Sequence, residues 1–293
     1  MWQEISDRIS EVTETKFEID RRTSISGGSI NQAYLVADRK RSFFVKTNVA
    51  EKVAMFEAES IALSQMHATQ TIRVPQPLCF GICSDPHGYH YSYIVMEWIK
   101  LGSKQNWSRM GEQLAELHRI SNPRFGWQQQ NTIGSTPQIN TWSEDWVDFF
   151  TQHRLGYQWQ LARRRGFRSS TSIEQFFAVV PSFFRDYQPQ PSMVHGDLWS
   201  GNAGFSIQGE PIIYDPALYF GDREVDIAMT ELFGGFPSEF YAAYNRAFPL
   251  DSGYNQRKTL YNLYHILNHY NLFGGSYGSQ ANRMIAELCS QNR

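Results

Sequence analysis

Asp197, Asn202 and Asp215 are three oxygen-bearing side chains that follow one another closely in this chain of 293 residues. The first two lie in the stretch VHGDLWSGN, residues 194–202, and the third closes the short apolar run IIY. An aspartate carboxylate can accept the proton of an attacking hydroxyl group and align that hydroxyl. An asparagine oxygen and a second carboxylate suit Mg²⁺ on nucleotide phosphates. The spacing predicts a phosphoryl-transfer site with Asp197 as the base and Asn202 and Asp215 as metal ligands.

The order H-x-D-x-x-x-x-N, followed by a strand that ends in Asp, resembles the catalytic loop and metal site of protein kinases. The wording HGDLWSGN and then YDPALYFGDREVDIAMTELFGGF is more specific. It resembles the fructosamine kinase (ketosamine 3-kinase) family, in the aminoglycoside and choline phosphotransferase branch of the kinase-like fold. The resemblance extends over almost the whole chain. It includes D-P-A at residues 215–217, where protein kinases have D-F-G.

This resemblance implies an α+β, protein-kinase-like fold in two lobes. We expect residues 1–98 to form a small N-lobe of antiparallel sheet with a phosphate lid, a strand lysine and a helix glutamate. Residues 99–293 are expected to form a larger, mainly helical C-lobe with the catalytic loop and the acceptor site. ATP is expected to lie between the two lobes.

The N-terminal third supplies the residues expected to bind the phosphates of ATP. Gly27, Gly28 and Ser29 lie between two short strand patterns, and paired glycines allow backbone N–H groups to approach phosphate oxygens. An ordinary hairpin turn explains the same glycines. Lys46 ends a third strand pattern, SFFVK. It matches the kinase lysine that contacts the α- and β-phosphates, although most lysines at strand ends are simply solvated.

Two glutamates on the next helical pattern compete for this lysine. Glu57 and Glu59 both lie within residues 50–67, and one of them is expected to pair with Lys46 and hold it in place. The resemblance to the phosphotransferase branch favours Glu59. The other glutamate is then an exposed helix carboxylate.

The strand pattern YIVMEWI, residues 93–99, falls where a kinase has its hinge. The resemblance implies that backbone groups of Glu97 and Ile99 form hydrogen bonds with the adenine edge. Taken without that context, the stretch is a buried strand followed by a glycine.

Other residues around the motif have open roles. His195 is expected to support the catalytic loop, and Trp199 either packs on that loop or forms a wall for the acceptor sugar. Asp226 is either a helix N-cap or a brace for the loop. Residues 222–224 either line the acceptor pocket or form a solvated turn, and the Asn, Tyr and His residues of 261–271 are candidates for the edge of the cleft.

Composition and charge exclude several classes of function. A net charge of −2 gives no bulk basic field for nucleic acid or anionic membrane, and no apolar run approaches the length of a membrane span. The polar, acidic N-terminus argues against a secretory signal. The three cysteines are expected to be reduced thiols in a cytoplasmic protein. The resemblance implies that some eukaryotic relatives form redox-linked dimers through a cysteine in the phosphate lid. Residues 27–31 of this chain contain no cysteine, so no such dimer, and hence a monomer, is expected.

The predicted reaction is transfer of the ATP γ-phosphoryl group, with Mg²⁺, to O3 of a ketosamine such as fructosyl- or ribulosyl-lysine, free or on a glycated protein. The resemblance implies that the unstable 3-phosphate then releases the amine. One alternative is a kinase of the same fold for an aminoglycoside- or choline-like acceptor. Another is a nucleotide-binding interaction protein without catalysis. A zinc or two-metal hydrolytic site at His195, Asp197 and Asp215 lacks the further histidines it would need.

Overall fold

The computed structural model describes residues 1–26 and 30–291. Two compact units make up the chain: unit 1 comprises Met1–Asn106 and Gly204–Asp215, and unit 2 comprises Trp107–Ala203 and Pro216–Arg293. The α-helices are α1 (Trp2–Val12), α2 (Val53–Ala68), α3 (Trp107–His118), α4 (Trp146–Phe149), α5 (Tyr157–Arg164), α6 (Ile173–Val179), α7 (Glu224–Leu232), α8 (Ser238–Ala247), α9 (Tyr254–Phe273) and α10 (Tyr277–Ser290). The strands are β1 (Arg21–Ile25), β2 (Gln32–Ala37), β3 (Ser42–Val49), β4 (Pro77–Ser84), β5 (His90–Glu97), β6 (Asn131–Ile133), β7 (Thr136–Gln138), β8 (Ser192–Val194), β9 (Ala203–Phe205), β10 (Pro211–Ile213) and β11 (Tyr219–Gly221). The predicted α+β class, with an antiparallel sheet in the N-terminal part and helices in the C-terminal part, is confirmed.

Unit 1 is built on a five-stranded antiparallel sheet with the strand order β1-β2-β3-β5-β4. The β-branched residues Val36, Val45 and Val95 contribute to its core, as such residues pack well on a pleated surface. Helix α1 adds Ile5 and Ile9, which are four residues apart on one helical face and fully buried. This packing explains the apolar periodicity of the N-terminal helix without assigning it any chemistry.

Unit 1 continues to residue 106, past the boundary expected between residues 98 and 99. It also includes a second segment, residues 204–215. The N–H of Gly102 donates to the carbonyl oxygen of Phe205 at 2.9 Å, and the N–H of Ile213 donates to the carbonyl oxygen of Arg73 at 3.0 Å. A Cβ atom at Gly102 would lie 2.7 Å from the Cα of Ile207. These contacts join segments more than a hundred residues apart, which local sequence patterns do not reveal.

Unit 2 is mainly helical, and the 20-residue helix α9 supplies much of its core. Leu260, Leu263, Ile266 and Leu267 of α9 are fully buried, and the helix packs against α7, α10 and α5. The short strands β8 and β11 pair antiparallel with Val194 opposite Tyr219. This pairing places the start of the catalytic motif beside the segment that follows Asp215.

No helix in the described parts of the chain, residues 1–26 and 30–291, has both the length and the apolar character that a membrane crossing requires.

Candidate active site

Lys46, Glu59 and Asp215 meet in unit 1. The Nζ of Lys46 lies 2.6 Å from Glu59 Oε1 and 2.6 Å from Asp215 Oδ1, and it donates a hydrogen bond to each. Lys46 comes from β3, where it is paired in register with Ala33 and Ile94, and Glu59 comes from α2. The side chains of Lys46 and Glu59 are 7% and 11% exposed, whereas that of Asp215 is 46% exposed. One oxygen-rich side of the cluster is therefore accessible to solvent.

The choice between the two helix glutamates is resolved by the face of α2 on which each lies. Glu59 is three residues after Phe56 and four before Leu63, both fully buried, so it shares their face. Glu57 is exposed. Because residues two apart point to opposite sides of a helix, only Glu59 can reach β3. The spacing from the apolar residues is a sequence signal that identifies it.

Charge and burial act in opposite directions on this cluster. Burial alone would lower the pKa of Lys46, but the carboxylates of Asp215 and Glu59 outweigh it and raise that pKa above its ordinary value. Burial, with the negative charge of Asp215, raises the pKa of Glu59 despite the lysine. One cation faced by two acidic groups leaves an excess of negative charge on the exposed side. Such a cluster suits a hard cation with oxygen ligands.

Asp215 has an unusual backbone conformation. Its φ of 60° lies in the left-handed region, which costs a residue with a side chain about 1 to 2 kcal/mol. The residue comes two positions after β10, at the end of the 204–215 segment. This conformation is compatible with a side chain that is aimed for function, because strained residues concentrate at such sites.

The predicted catalytic loop, residues 194–202, lies in unit 2, and its conformation depends on a glycine. The φ of Gly196 is 82°, and a Cβ atom there would lie 2.2 Å from the carbonyl oxygen of Ala217. The N–H of Ala217 donates to the carbonyl oxygen of His195 at 2.8 Å. The amide nitrogen of Asn202 donates to the carbonyl oxygen of Asp197 at 2.9 Å and to its Oδ2 at 3.3 Å. Both of these bonds use Nδ2, so the Oδ1 of Asn202 takes part in neither of them.

Asp226 braces this loop and is not a helix cap. Its Oδ2 accepts from the N–H of His195 at 2.6 Å, and its Oδ1 accepts from the N–H of Gly196 at 2.9 Å. The ring of His118 lies with Nε2 3.1 Å from Oδ2, and its Nδ1 is 2.7 Å from the hydroxyl of Tyr244. Burial would raise the pKa of Asp226, but the hydrogen bond and charge of His118 lower it overall.

A second set of positioning residues comes from the hairpin of β6 and β7, and the sequence did not identify it. Asn131 Nδ2 donates to the carbonyl oxygen of Leu218 at 2.8 Å, and Gln138 Nε2 donates to that of Ala217 at 3.0 Å. The hydroxyl of Tyr264 donates to Gln138 Oε1 at 2.7 Å. These buried amides hold the chain just after Asp215. The polar stretch 131–140 was the available signal in the sequence, and it does not reveal partners 79 and 87 residues away.

Arg154 anchors that hairpin from a π-helical segment, Phe150–Gly156. Its fully buried guanidinium donates to Asn140 Oδ1 at 2.8 Å and to the carbonyl oxygen of Ile139 at 2.5 Å. It also lies 4.1 Å from the centre of the Tyr219 ring. Neutral oxygens and ring faces therefore take the place of a carboxylate partner.

Residues 222–224 form an internal network, which excludes one of the two alternatives, the solvated turn. Asp222 is fully buried and accepts hydrogen bonds from the hydroxyl groups of Tyr187 and Tyr261. Glu224 is also fully buried and lies 2.8 Å and 3.0 Å from two nitrogens of Arg257. Burial, followed by the charge of Asp222, raises the pKa of Glu224 to about 7. These side chains are occupied with one another.

Trp199 is the start of an aromatic rim beside the catalytic loop. It is 37% exposed, and its ring meets that of Phe233 edge-on with centres 6.2 Å apart. Phe233 contacts His269 at 4.8 Å, and His269 contacts Tyr277 at 5.1 Å. The indole also packs on Gly201 of the same loop, where a Cβ atom would overlap the ring. Trp199 therefore packs on the loop and is still partly exposed to solvent.

The buried histidine His265 is expected to make the stability of the fold depend on pH. The residue is 3% exposed, its Nδ1 has no hydrogen-bond partner among the described residues, and burial lowers its pKa to about 3. The unfolded chain, with an ordinary histidine pKa, binds more protons between pH 3 and 6.5, so acid destabilises the fold. We expect the free energy of unfolding to fall by about 2 kcal/mol between pH 7 and pH 5 through this residue.

Urea unfolding of the wild type and of His265→Gln at several pH values checks this expectation. The variant should show a shallower pH dependence over the same range. Parallel curves for the two proteins would contradict it.

The remaining predicted residues are placed as follows. Glu97 ends β5, and its N–H donates to the carbonyl oxygen of Gln76 at 2.8 Å. Ile99 lies just past the strand, and its N–H forms no backbone hydrogen bond with the residues the structure describes. The glycine turn, residues 27–29, lies outside the described residues.

The chain is similar to known proteins over nearly its whole length. The family model described as "Fructosamine kinase" matches residues 1–291. A probable ketoamine kinase of Synechocystis sp. is 51% identical over 292 residues, which is 98% of this chain and 96% of that protein. The chloroplastic protein-ribulosamine 3-kinase of Arabidopsis thaliana is 44% identical over 274 residues, which is 92% of this chain and 82% of that protein.

Solved structures agree with the fold. The crystal structure of a putative fructosamine-3-kinase from Haemophilus somnus 129PT has a TM-score of 0.90 at 29% identity, with 98% of this chain and 97% of that chain covered. Choline kinase LicA from Streptococcus pneumoniae has a TM-score of 0.61 at 15% identity, with 99% and 98% covered. The second likeness concerns the fold alone, and it confirms the predicted kinase-like class.

Proposed function

Because the chain belongs to the fructosamine kinase family, we propose that it transfers the γ-phosphoryl group of ATP to O3 of a ketosamine. The acceptor is a fructosyl- or ribulosyl-type adduct on a lysine or on a protein amine. The names of the similar proteins, ketoamine kinase and protein-ribulosamine 3-kinase, support this substrate class. The observation that carries the proposal is the pair of 2.6 Å contacts of Lys46 with Glu59 and Asp215.

The nucleotide side of the reaction uses Lys46. Glu59 holds the ammonium group in place, because a buried lysine without a partner would be free to turn away from the phosphates. Asn202 and Asp215 are the proposed Mg²⁺ ligands, and their oxygens fit a hard cation. Mg²⁺, when bound, offsets the negative charge of the phosphates. Two protein oxygens are a typical number, since phosphates and water complete its coordination.

The acceptor side uses Asp197. Its carboxylate accepts the hydrogen of the acceptor hydroxyl and directs the oxygen toward phosphorus. Asn202 holds the same aspartate through its Nδ2, and Asp226 holds the loop backbone. A loop fixed in this way loses little entropy when the acceptor binds. Trp199 would form one wall for the sugar.

The product explains a biological role. A ketosamine phosphorylated at O3 is unstable and releases its amine, so the proposed role is deglycation.

Burial raises the pKa of Cys79 and Cys83 to about 11, which makes both thiols unreactive. A cytoplasmic location and a monomeric state remain predictions.

A panel of acceptors tests the proposed function. We expect ATP consumption with fructosyl-lysine, ribulosyl-lysine or peptides that carry them, and NMR of the product should place the phosphate on O3. Choline and an aminoglycoside serve as controls for the other acceptors of this fold. Turnover of either control without turnover of any ketosamine, or phosphate on another hydroxyl, would overturn the proposal.

A further inference from the structure

Four exposed arginines follow one another at the end of α5, and the proposed reaction does not use them. Arg163, Arg164, Arg165 and Arg168 belong to the stretch RRRGFR. Among residues 1–26 and 30–291, the arginine salt bridges involve other arginines. The chain has a net charge of −2, so this positive charge is a local concentration. We call these four residues the arginine patch.

The backbone of the arginine patch is fixed on two helices of unit 2. The hydroxyl of Tyr270, on α9, donates to the carbonyl oxygen of Arg165 at 3.3 Å. Asn282 Nδ2, on α10, donates to that of Arg168 at 2.8 Å. Phe167 is buried against Trp159 and Tyr270, with ring centres 5.6 Å and 5.5 Å apart. A rigid backbone therefore presents the guanidinium groups to solvent.

Helix stabilisation explains only part of this pattern. Basic side chains in the last turn of a helix interact favourably with its dipole, which accounts for Arg163 and Arg164 in α5. Arg165 and Arg168 lie beyond the helix. The pKa of Glu174 is lowered chiefly by its own N–H and by the Ser172 hydroxyl, and the charge of Arg163 is the smallest contributor. The patch keeps an excess of positive charge.

The arginine patch is joined to the catalytic loop by continuous contacts within unit 2. Tyr270, which contacts the patch, directly follows His269 of the aromatic rim. His269 contacts Phe233, and Phe233 contacts Trp199 of the loop. Contacts between neighbouring residues therefore lead from the catalytic loop to the segment that carries the patch.

Resting on the proposed function, we infer that the arginine patch binds acidic side chains of a polypeptide whose ketosamine-bearing lysine enters the active site. Guanidinium groups match carboxylates in paired hydrogen bonds. An extended peptide of six residues spans about 20 Å, so one chain can serve the loop and a surface beyond the rim. The preferred substrate class is then a protein-bound ketosamine in an acidic context, and not the free sugar–amino acid adduct.

Matched peptides test this inference. Two peptides of equal length each carry one ribulosyl-lysine, flanked by Glu residues in one and by Gln residues in the other, and free ribulosyl-lysine is the third substrate. The enzymes are the full-length wild type, Arg164→Ser/Arg168→Ser, and the control Arg185→Ser/Arg246→Ser, which removes two exposed arginines elsewhere in unit 2. We expect the wild type to favour the acidic peptide about tenfold in kcat/KM at low salt, mainly through KM.

The patch variant should bring that ratio close to one without changing turnover of the free adduct, and the control should keep the ratio. Equal ratios in all three enzymes would overturn the inference. Binding of a fluorescent Glu-rich peptide without sugar tests the arginine patch separately from the proposed kinase function. If no ketosamine is turned over, the proposed function fails, while loss of peptide binding in the patch variant alone still supports the patch. Patch-dependent binding of an oligonucleotide or of anionic vesicles in preference to this peptide would overturn the assignment to a polypeptide.

Discussion

Asp197→Asn is expected to lower kcat by about 10²-fold or more, because the amide cannot accept the proton of the acceptor hydroxyl. The amide still offers an oxygen, so the hydrogen bond from Asn202 Nδ2 and the loop conformation should persist. The loss therefore concerns the proton and not the fold. Steady-state kinetics with a ketosamine acceptor measures the effect.

Three measurements separate this role from a structural one. Affinity for ADP and the melting temperature should stay close to the wild-type values, and the pH dependence of the residual rate should change. Asp186→Asn is the matched control, since Asp186 is an exposed aspartate of the same unit. Wild-type turnover in Asp197→Asn would show that another group is the base.

Asp215→Asn is expected to weaken binding of the magnesium–nucleotide complex and to lower activity by about 10³-fold, because a preorganised charge at the phosphates is lost. The carboxylate is 46% exposed and lies 2.6 Å from Lys46. In the variant, Lys46 keeps Glu59 as its partner at 2.6 Å. The buried ion pair is then preserved, and we expect little change in the free energy of unfolding.

Calorimetry with ADP, with and without Mg²⁺, measures this effect. The wild type should gain affinity from Mg²⁺, and the variant should lose most of that gain. Asp20→Asn removes an exposed aspartate of unit 1 and should behave as the wild type. An unchanged Mg²⁺ effect in Asp215→Asn would exclude Asp215 as a metal ligand.

Short-range patterns carried much of the prediction for this protein. The stretch SFFVK lies in β3 and pairs with β2 and β5, so the presence of Lys46 in a strand was predictable. The choice of Glu59 over Glu57 came from resemblance, yet the helical spacing from Phe56 and Leu63 supports it independently. The position of a residue on a strand or on one face of a helix depends on neighbours within a few residues. The repeat of 2 residues in a strand and of 3.6 in a helix is therefore visible in the sequence.

Other features depend on partners far along the chain. The segment 204–215 joins unit 1 through contacts with Arg73 and Gly102, although it stands between two parts of unit 2 in sequence. The sequence is compatible with Asp226 as a helix cap or as a brace for the loop. The N–H groups of His195 and Gly196, which donate to its carboxylate, decide for the brace. No local periodicity distinguishes these outcomes, because each depends on which buried donor meets which acceptor.

The sequence by itself predicted the chemistry: a carboxylate, an amide and a second carboxylate at kinase-like spacing, with a strand lysine. The lysine was expected at the end of its strand, but it lies within β3, three residues before the end. The types and order of these groups are sufficient because proton acceptance and Mg²⁺ binding need particular functional groups. The tertiary structure alone decided what holds those groups, including the amides of β6 and β7 and the anchoring Arg154. Buried polar groups must find partners wherever packing brings them, and packing is a property of the whole fold.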